Sequence, residues 1–354
     1  MILFAPNVQH EALDSTTGYN WGKTAENSNI LSTLPAHYGK LLHNRIISER
    51  LLVCDDSATP SILIGTQQRF SELLQMTAVT LLGKEHANRF GPCLGVVMKL
   101  LDTNSMMSKG GLSVQVHPKV GHPKWPSKPE MWLSQGKGNV YAGFNKDMTK
   151  EEILVAIESN RLEDYLNNVE LSKETPFVVP GGLAHAIRGD NYLMEWSKAP
   201  GQEEIAKGNI KDATVALYDR TDGKSPRPGK ENPLAAFEVM EHAKTFTKTD
   251  IRKLMVEPDI EYIQNQRHIG IKEKLFRTPE VYVDRYILES TFALSLEKRG
   301  LPLYVESGEL EIWDKQTKLG ILSAGSEASL AAHHKVLSLH PQSNTTFYTW
   351  YRPF

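Results

Sequence analysis

The sequence predicts a mainly β protein with helical insertions, and three observations lead to this fold class. Short apolar segments with the two-residue alternation of strands recur along the chain, separated by Gly, Pro, Asn and Ser, as in sandwiches and barrels. Two other segments carry a helical spacing. The length of 354 residues exceeds the usual size of one domain and favours two. The predicted strands cover residues 111–117, 139–144, 176–180, 191–196, 280–288, 291–297, 301–313, 335–341 and 345–351.

The predicted helices interrupt the first half of the chain, at residues 71–88 and 149–167. In the second helix, Thr149 and Glu152 have the spacing of a capping box. Residues 212–233 are rich in Pro, Gly and charge in their second half, which is typical of an exposed loop or linker. We therefore expect an N-terminal domain at residues 1–240 and a C-terminal domain at 241–354. Residues 305–330 predict a hairpin and a Gly turn typical of jelly-roll barrels.

Composition and charge narrow the possible partners. The chain has 40 Lys and Arg against 42 Asp and Glu, so no excess of positive charge predicts binding to nucleic acid or to an anionic membrane. Small molecules are the expected partners, and a monomer and a small homo-oligomer both stay open. The N-terminus lacks the basic and apolar regions of a signal peptide. Cys54 and Cys93 form no zinc or redox motif, so we expect a cytoplasmic protein.

A strand with two polar side chains on one face suggests chemistry. In LSVQVHPK, residues 112–119, alternation places Gln115 and His117 on the face opposite Val114 and Val116. A solvated outer face would explain this pattern, and so would a metal site inside a barrel. A lone histidine in a strand is more often a packed or surface residue than a ligand. Further ligands are therefore needed to favour the metal site.

Two later segments supply such ligands. Glu130 lies in SKPEMW, and His185 ends a P-x-G-x-x-H motif in which Pro180 and Gly182 form a tight turn before a strand. Together with Gln115 and His117 these residues offer nitrogen and oxygen donors without a thiolate, a set that suits zinc, manganese or iron. The adjacent His333 and His334 are predicted to lie on one strand, on opposite faces, and to be polar surface.

These segments resemble the cupin superfamily and, more narrowly, the type I phosphomannose isomerase family. That family has the Q-x-H form found in LSVQVHP, a K-x-E matched by Lys128 and Glu130, and a V-P-x-G-x-x-H-A matched by VPGGLAHA. The resemblance runs in order from about residue 19 to about residue 225. Its remaining matches are the Y-x-W-G of Tyr19, Trp21 and Gly22, the segment VYAGFNKDMTKEEI, and Tyr218, Asp219 and Arg220.

The resemblance implies a two-domain cupin made of jelly-roll β-barrels. It implies a metal-dependent isomerase that interconverts mannose 6-phosphate and fructose 6-phosphate through an enediol. One zinc, or another divalent metal, would bind per chain to the four ligands named above. Arg220 and Lys128 would be catalytic or contact the substrate, and Trp21 would line the pocket or merely pack on the barrel. Glu195 corresponds loosely to a family glutamate and is a candidate base.

Several alternatives stay open at this stage. Glu195 could be a surface carboxylate, and Lys128 could be a solvated loop lysine. The loop between His117 and Glu130 is shorter than expected for the family, and Pro118 and Lys119 stand where an acidic pair is usual. These differences favour, as an alternative, an isomerase or epimerase of another sugar or sugar phosphate. A sugar-binding cupin without catalytic activity is a third hypothesis.

Overall fold

The architecture comes from a computed structural model, which describes residues 1–12, 21–56, 59–104, 112–123, 125–198, 214–218, 233–241, 244–265 and 268–354. Strands dominate, and eight of the nine predicted strand segments each contain one strand. The ninth, residues 301–313, is divided at Gly308 into two strands of different sheets. The ladders between the described strands are antiparallel, which short hairpin connections allow.

Twenty-four strands lie in the described part of the chain. The strands before residue 220 are β1 (Ile2–Ala5), β2 (Asn7–Ala12), β3 (Lys23–Thr24), β4 (Arg45–Leu52), β5 (Ile62–Leu63), β6 (Val96–Thr103), β7 (Val114–Val116), β8 (Glu130–Ser134), β9 (Gly138–Phe144), β10 (Leu166–Leu171), β11 (Pro176–Val179), β12 (His185–Arg188), β13 (Asn191–Lys198) and β14 (Val215–Tyr218). The later strands are β15 (Asp259–Asn265), β16 (His268–Arg277), β17 (Tyr282–Leu288), β18 (Phe292–Ser295), β19 (Leu301–Ser307), β20 (Glu309–Asp314), β21 (Thr317–Ser323), β22 (Glu327–Leu330), β23 (Val336–Pro341) and β24 (Thr345–Tyr351).

Helices are short and connect or cover the sheets. The α-helices are Asn29–Ser32, His37–Leu41, Phe70–Leu82, Lys84–Phe90, Lys150–Glu158, Pro233–Val239 and Lys248–Leu254. Single turns of 3₁₀ helix lie at Ala25–Asn27, Leu162–Tyr165 and Ala332–His334. In the described part of the chain, every helix is too short or too polar to span a lipid bilayer.

Two sheets form the first barrel. One has the order β11-β8-β13-β6-β4-β2, with β3 also paired to β4, and the other has the order β10-β9-β12-β7-β14. Alternation sends one set of side chains from each sheet into the space between them. This interior contains a buried apolar cluster that includes Trp21, Leu101, Trp132, Phe177 and Leu193.

The outer faces of both sheets in the first barrel are also covered. The helices Lys150–Glu158 and Pro233–Val239 pack on the five-stranded sheet, where Val114 and Val116 are buried against them. The larger sheet turns its other face, including Met194 and Trp196, towards the C-terminal half of the chain. Because both faces are covered, every residue of β6 except Lys99 and every residue of β13 except Tyr192 is buried.

A second barrel forms from the eight-stranded sheet β15-β16-β17-β24-β19-β22-β1-β5 and the four-stranded sheet β18-β23-β20-β21. Its interior holds a separate apolar cluster that includes Leu303, Leu310, Leu339 and Phe347. The structure therefore matches the predicted fold class, with a jelly-roll-like barrel in the C-terminal half.

Two pairings cross the boundary predicted near residue 240. Strand β1 lies in the second barrel, where Ile2 pairs with Ser329. Residues 244–255 contact the first barrel, where Thr245 bridges to Phe144. A buried ion pair also joins the barrels, because Arg50 Nη2 on β4 lies 3.1 Å from Glu327 Oε1 on β22.

The predicted helices are shorter than expected. The capping box at Thr149 and Glu152 is confirmed, but that helix ends at Glu158, and residues 166–167 belong to a strand. Asn160 has a φ of 57°, which does not continue a right-handed helix. The helix predicted at 71–88 is broken at Gly83, whose φ of 93° separates two helices.

Candidate metal centre

Three of the four predicted ligands come together at one end of the first barrel. His117 directly follows β7, Glu130 opens β8 and His185 opens β12, so each side chain is placed at the end of a strand. The turn before β12 is fixed by Gly182, which has a φ of 88° and donates its N–H to His117 O at 2.7 Å. The P-x-G-x-x-H motif therefore positions His185 next to His117, as predicted.

The three side chains form a compact and fully enclosed group. One donor atom from each of His117, Glu130 and His185 lies within 4.8 Å of the other two. His117 Nε2 is 2.8 Å from Glu130 Oε1, and His185 Nε2 is 3.7 Å from Glu130 Oε2. Each residue is at most 1% exposed. Buried polar groups at this density are stable only if they satisfy one another or a bound ion.

Gln115 lies beside this group. It pairs directly with His185 in the β7–β12 ladder, and directly opposed residues of an antiparallel pair point to the same face. Gln115 is half-buried, whereas Val114 and Val116 are buried on the other face. The predicted alternation of LSVQVH is thus confirmed. The role of Gln115 as a fourth ligand remains a prediction.

The protonation of His185 fits a ligand. Its Nδ1 lies 2.8 Å from the carbonyl oxygen of Leu183, which can only accept, so Nδ1 carries the proton. Nε2 then has a lone pair, and this buried atom has no hydrogen-bond partner. Burial, and next the nearby His117, lower the pKa of His185 to about 3, which keeps the ring neutral at physiological pH. A neutral imidazole with a free lone pair is the form that binds metal.

Glu130 is held as a carboxylate despite its burial. Burial alone would raise its pKa, but the charges of His117 and Lys128 oppose this and bring the pKa well below its ordinary value. Trp132 Nε1 also donates to Glu130 Oε2 at 3.2 Å. An anionic oxygen and two imidazoles, with no thiolate, form the donor set that zinc, manganese and iron accept. The residues present therefore fit a divalent metal.

Lys128 is part of this centre. Its Nζ lies 3.2 Å from Glu130 Oε1 and donates to Thr214 Oγ1 at 2.9 Å, and its side chain is 13% exposed. The alternative of a solvated loop lysine is therefore wrong. The K-x-E spacing explains the contact, because the short approach to β8 turns both side chains towards the same ligand group.

Glu195 faces the barrel interior. It pairs with Trp132 on β8 and with Lys99 on β6, and it is 4% exposed, so the alternative of a surface carboxylate is wrong. Its neighbour Trp196 packs on the opposite face, against the second barrel. Burial first, and then the charge of Glu130, raise the pKa of Glu195, although Lys99 opposes the shift.

Sequence reasoning missed the cation beside Glu195. Lys99 Nζ lies 3.5 Å from Glu195 Oε1 and 3.9 Å from Glu49 Oε2, and it links these two buried carboxylates across the sheet. One signal was present in the sequence: Lys99 stands alone among the apolar residues of VVMKLL. A charged residue within an otherwise apolar strand usually has a buried partner.

Of the other predicted site residues, Trp21 lies within the described part of the chain and Arg220 does not. Trp21 is 1% exposed and belongs to the apolar cluster of the barrel interior. Arg220 lies outside the described residues, as do Tyr19 and Asp219. The role of Arg220 therefore stays a prediction from the sequence.

Comparison with known proteins gives a clear answer for the fold. No family model and no curated protein sequence matches the chain. Solved structures do match over nearly the full length. The chain has the fold of the mannose 6-phosphate isomerases. A putative mannosephosphate isomerase from Archaeoglobus fulgidus has a TM-score of 0.70 at 17% identity, covering 100% of this chain and 98% of that one.

Two further mannose 6-phosphate isomerases show the same fold. That of Bacillus subtilis has a TM-score of 0.67 at 17% identity and 99% coverage of both chains. A mannose 6-phosphate isomerase bound with zinc and yttrium has a TM-score of 0.65 at 12% identity, covering 98% of this chain and 100% of that one. The fold expected from the sequence resemblance is confirmed.

Proposed function

We propose that this protein is a metal-dependent aldose-ketose isomerase that interconverts mannose 6-phosphate and fructose 6-phosphate. The observation that carries the proposal is the buried group of His117, Glu130 and His185 inside a barrel of this fold. Within this group, the lone pair of His185 Nε2 has no hydrogen-bond partner. The mannose 6-phosphate isomerases with the same fold, one of them zinc-bound, support the assignment.

His117, Glu130, His185 and Gln115 would hold the metal, most simply one zinc per chain. A divalent metal bound there would act as a Lewis acid on the carbonyl and hydroxyl oxygens of the sugar. Glu130 supports the site in a second way, because its carboxylate also holds the Lys128 ammonium group in position.

Isomerisation of an aldose to a ketose moves a proton between adjacent carbons through an enediol. We assign the acceptor of this proton to Glu195, which accepts it from one carbon and returns it to the next. Its pKa is raised by burial, and a carboxylate base is most effective when its pKa approaches the operating pH. Lys128, whose Nζ lies 3.2 Å from Glu130 Oε1, would donate a proton to the sugar oxygen.

Other assignments complete the proposal. Arg220 would stabilise the enediolate, and Trp21 would line the substrate pocket, both on the basis of the sequence resemblance. The catalytic domain would comprise residues 1–240, with the barrel of residues 241–354 as its companion. A cytoplasmic location is supported by Cys54 and Cys93, which are buried and form no disulfide.

The test is proton exchange in deuterated water. Metal-loaded protein is incubated with mannose 6-phosphate, fructose 6-phosphate and a panel of other phosphorylated and free sugars. We expect deuterium at C1 or C2 of the two named substrates. The Lys128→Met variant should incorporate it at least 100-fold more slowly. Lys137→Met, at an exposed lysine in the following turn, is the matched control and should retain it.

The panel also separates the alternatives. Two contacts hold the loop after His117 in place. The Lys128 N–H donates to Pro118 O at 3.2 Å, and Lys119 forms an ion pair with Glu241. Because loops set substrate specificity, the short loop between His117 and Glu130 favours, as the second candidate, an isomerase or epimerase of another sugar or sugar phosphate. Exchange confined to such a sugar would contradict the named substrates, and exchange into none would contradict catalysis.

A further inference from the structure

A cleft in the second barrel lies apart from the candidate metal centre. Its volume is about 460 Å³, which lies within the range of small-molecule sites, and every residue that lines it belongs to the second barrel. It forms where the turn between β20 and β21 meets the 3₁₀ helix Ala332–His334 and the start of β23. The lining residues are Ala293, Asp314, Lys315, His333, His334, Lys335, Val336, Leu337 and Ser338.

The charge of this cleft is positive. Lys315 and Lys335 face a single lining carboxylate, Asp314, and neither lysine forms an ion pair with a carboxylate in the described part of the chain. Asp314 is already engaged, because its Oδ2 lies 2.8 Å from His334 Nδ1. The hydrogen bond from His334, followed by its charge and that of Lys315, lowers the pKa of Asp314. The lysines and histidines of the lining therefore outnumber its single carboxylate, which leaves room for an external anion.

The backbone at both lysines is unusual. Lys315 has a φ of 54°, and Lys335 has a φ of 50° with a ψ of −61°; positive φ values are uncommon for residues other than glycine. Such conformations are found at functional sites as well as in ordinary turns. Both of these lysines line the same cleft.

The histidines add donors rather than a metal site. The prediction that His333 and His334 lie on one strand with their side chains on opposite faces is wrong. Both residues lie in a 3₁₀ helix, and their ring centroids are 4.0 Å apart. Among the described residues, the group of three His, Cys, Asp or Glu side chains that could hold a metal is the one in the first barrel. The cleft is thus suited to an anion and not to a cation.

We propose that this cleft binds a small phosphorylated metabolite, with Lys315, Lys335 and His333 holding the phosphate. Val336, which is 52% exposed, and Ala293 give the cleft an apolar wall for the carbon skeleton of the ligand. Such a site would be separate from catalysis in the first barrel. Lysine side chains commonly bind phosphate in proteins.

The test measures binding of radiolabelled inorganic phosphate to the full chain by equilibrium dialysis. The double variant Lys315→Asn/Lys335→Asn removes both charges, and asparagine adopts positive φ more readily than most other residues, so we expect the protein to fold as before. We expect the wild type to bind one phosphate per chain at this cleft. The double variant should bind that phosphate at least tenfold more weakly, so that it binds one phosphate fewer at the same concentration. Unchanged melting temperature verifies folding.

A matched control comes from the same barrel. Lys298 is exposed, has a φ of 63° and does not line the cleft, so Lys298→Asn should bind phosphate as the wild type does. Equal binding by the wild type and the double variant, or an equal loss in Lys298→Asn, would overturn the proposal. Competition by sulfate supports a phosphate-type oxyanion, whereas equal competition by acetate at the same ionic strength would refute it.

Discussion

Replacing Glu195 by glutamine is the sharpest test of the proposed chemistry. The change keeps the shape of a side chain that is 4% exposed and removes its ability to accept a proton. General base catalysis typically contributes 10²- to 10⁴-fold. We therefore expect kcat to fall by about this factor, equivalent to about 3–5 kcal/mol in the activation barrier.

The structure also predicts what Glu195→Gln leaves intact. Glu195 lies outside the group of His117, Glu130 and His185, so the metal content should stay at the wild-type level. Because the folded-state pKa of Glu195 is raised, its contribution to stability is complete below its unfolded pKa and is lost as pH rises through the folded value. The variant should therefore be at least as stable as the wild type above neutral pH.

The assay combines steady-state kinetics on mannose 6-phosphate, metal analysis and chemical unfolding. Glu49→Gln is the matched control, since Glu49 is the carboxylate on the far side of Lys99, and its kcat should change less than tenfold. A kcat for Glu195→Gln within threefold of the wild type would refute the assignment of the base. Loss of metal together with activity would show instead that Glu195 supports the metal site.

Three further predictions concern metal, pH and the joint between the barrels. Zinc at about 100 times its Kd should stabilise the wild type by about 2.7 kcal/mol in thermal unfolding and leave His185→Ala unchanged; equal stabilisation would contradict the site. Burial raises the pKa of Asp55 to about 6, so its contribution to stability is lost as pH rises from about 4 to 6. Asp55→Asn should raise the free energy of unfolding at pH 7.5 by up to about 3 kcal/mol, and no gain in urea melts would contradict this. Arg50→Met should lower the free energy of unfolding by about 3–5 kcal/mol, because it leaves Glu327 buried without its ion-pair partner. In a double-mutant cycle, adding Glu327→Gln should recover part of this loss.

Much of the site could be predicted because its information is local. Gln115 and His117 lie on one short strand, and the turn residue Gly182 delivers His185 to the start of the next element. Residues two apart on a strand share a face in any sheet, so their common direction needs no knowledge of the fold. The burial of Glu195 did require the fold, because alternation alone allowed either face of β13.

What escaped prediction depends on contacts between distant segments. Lys99 finds Glu195 through the pairing of β6 with β13, and nothing near Lys99 in the sequence indicates that partner. The early end of the helix after Glu158 depends on Asn160, where a left-handed residue interrupts a helical pattern that continues in the sequence. Strand β1 was not predicted, and its pairing with β22 is likewise a contact between distant segments.

The position of β1 has a consequence for how the protein is made. Strand β1 and its partner β22 are separated by residues 6–326, so roughly 16–65 s of translation pass between the synthesis of the two strands. During that time β1 has no ladder to join on β22, and a slow, long-range closure must follow. A fragment that starts at residue 241 would leave the edge of β22 open to pairing with other molecules. The second barrel is therefore completed by a strand that precedes the whole first barrel in the sequence.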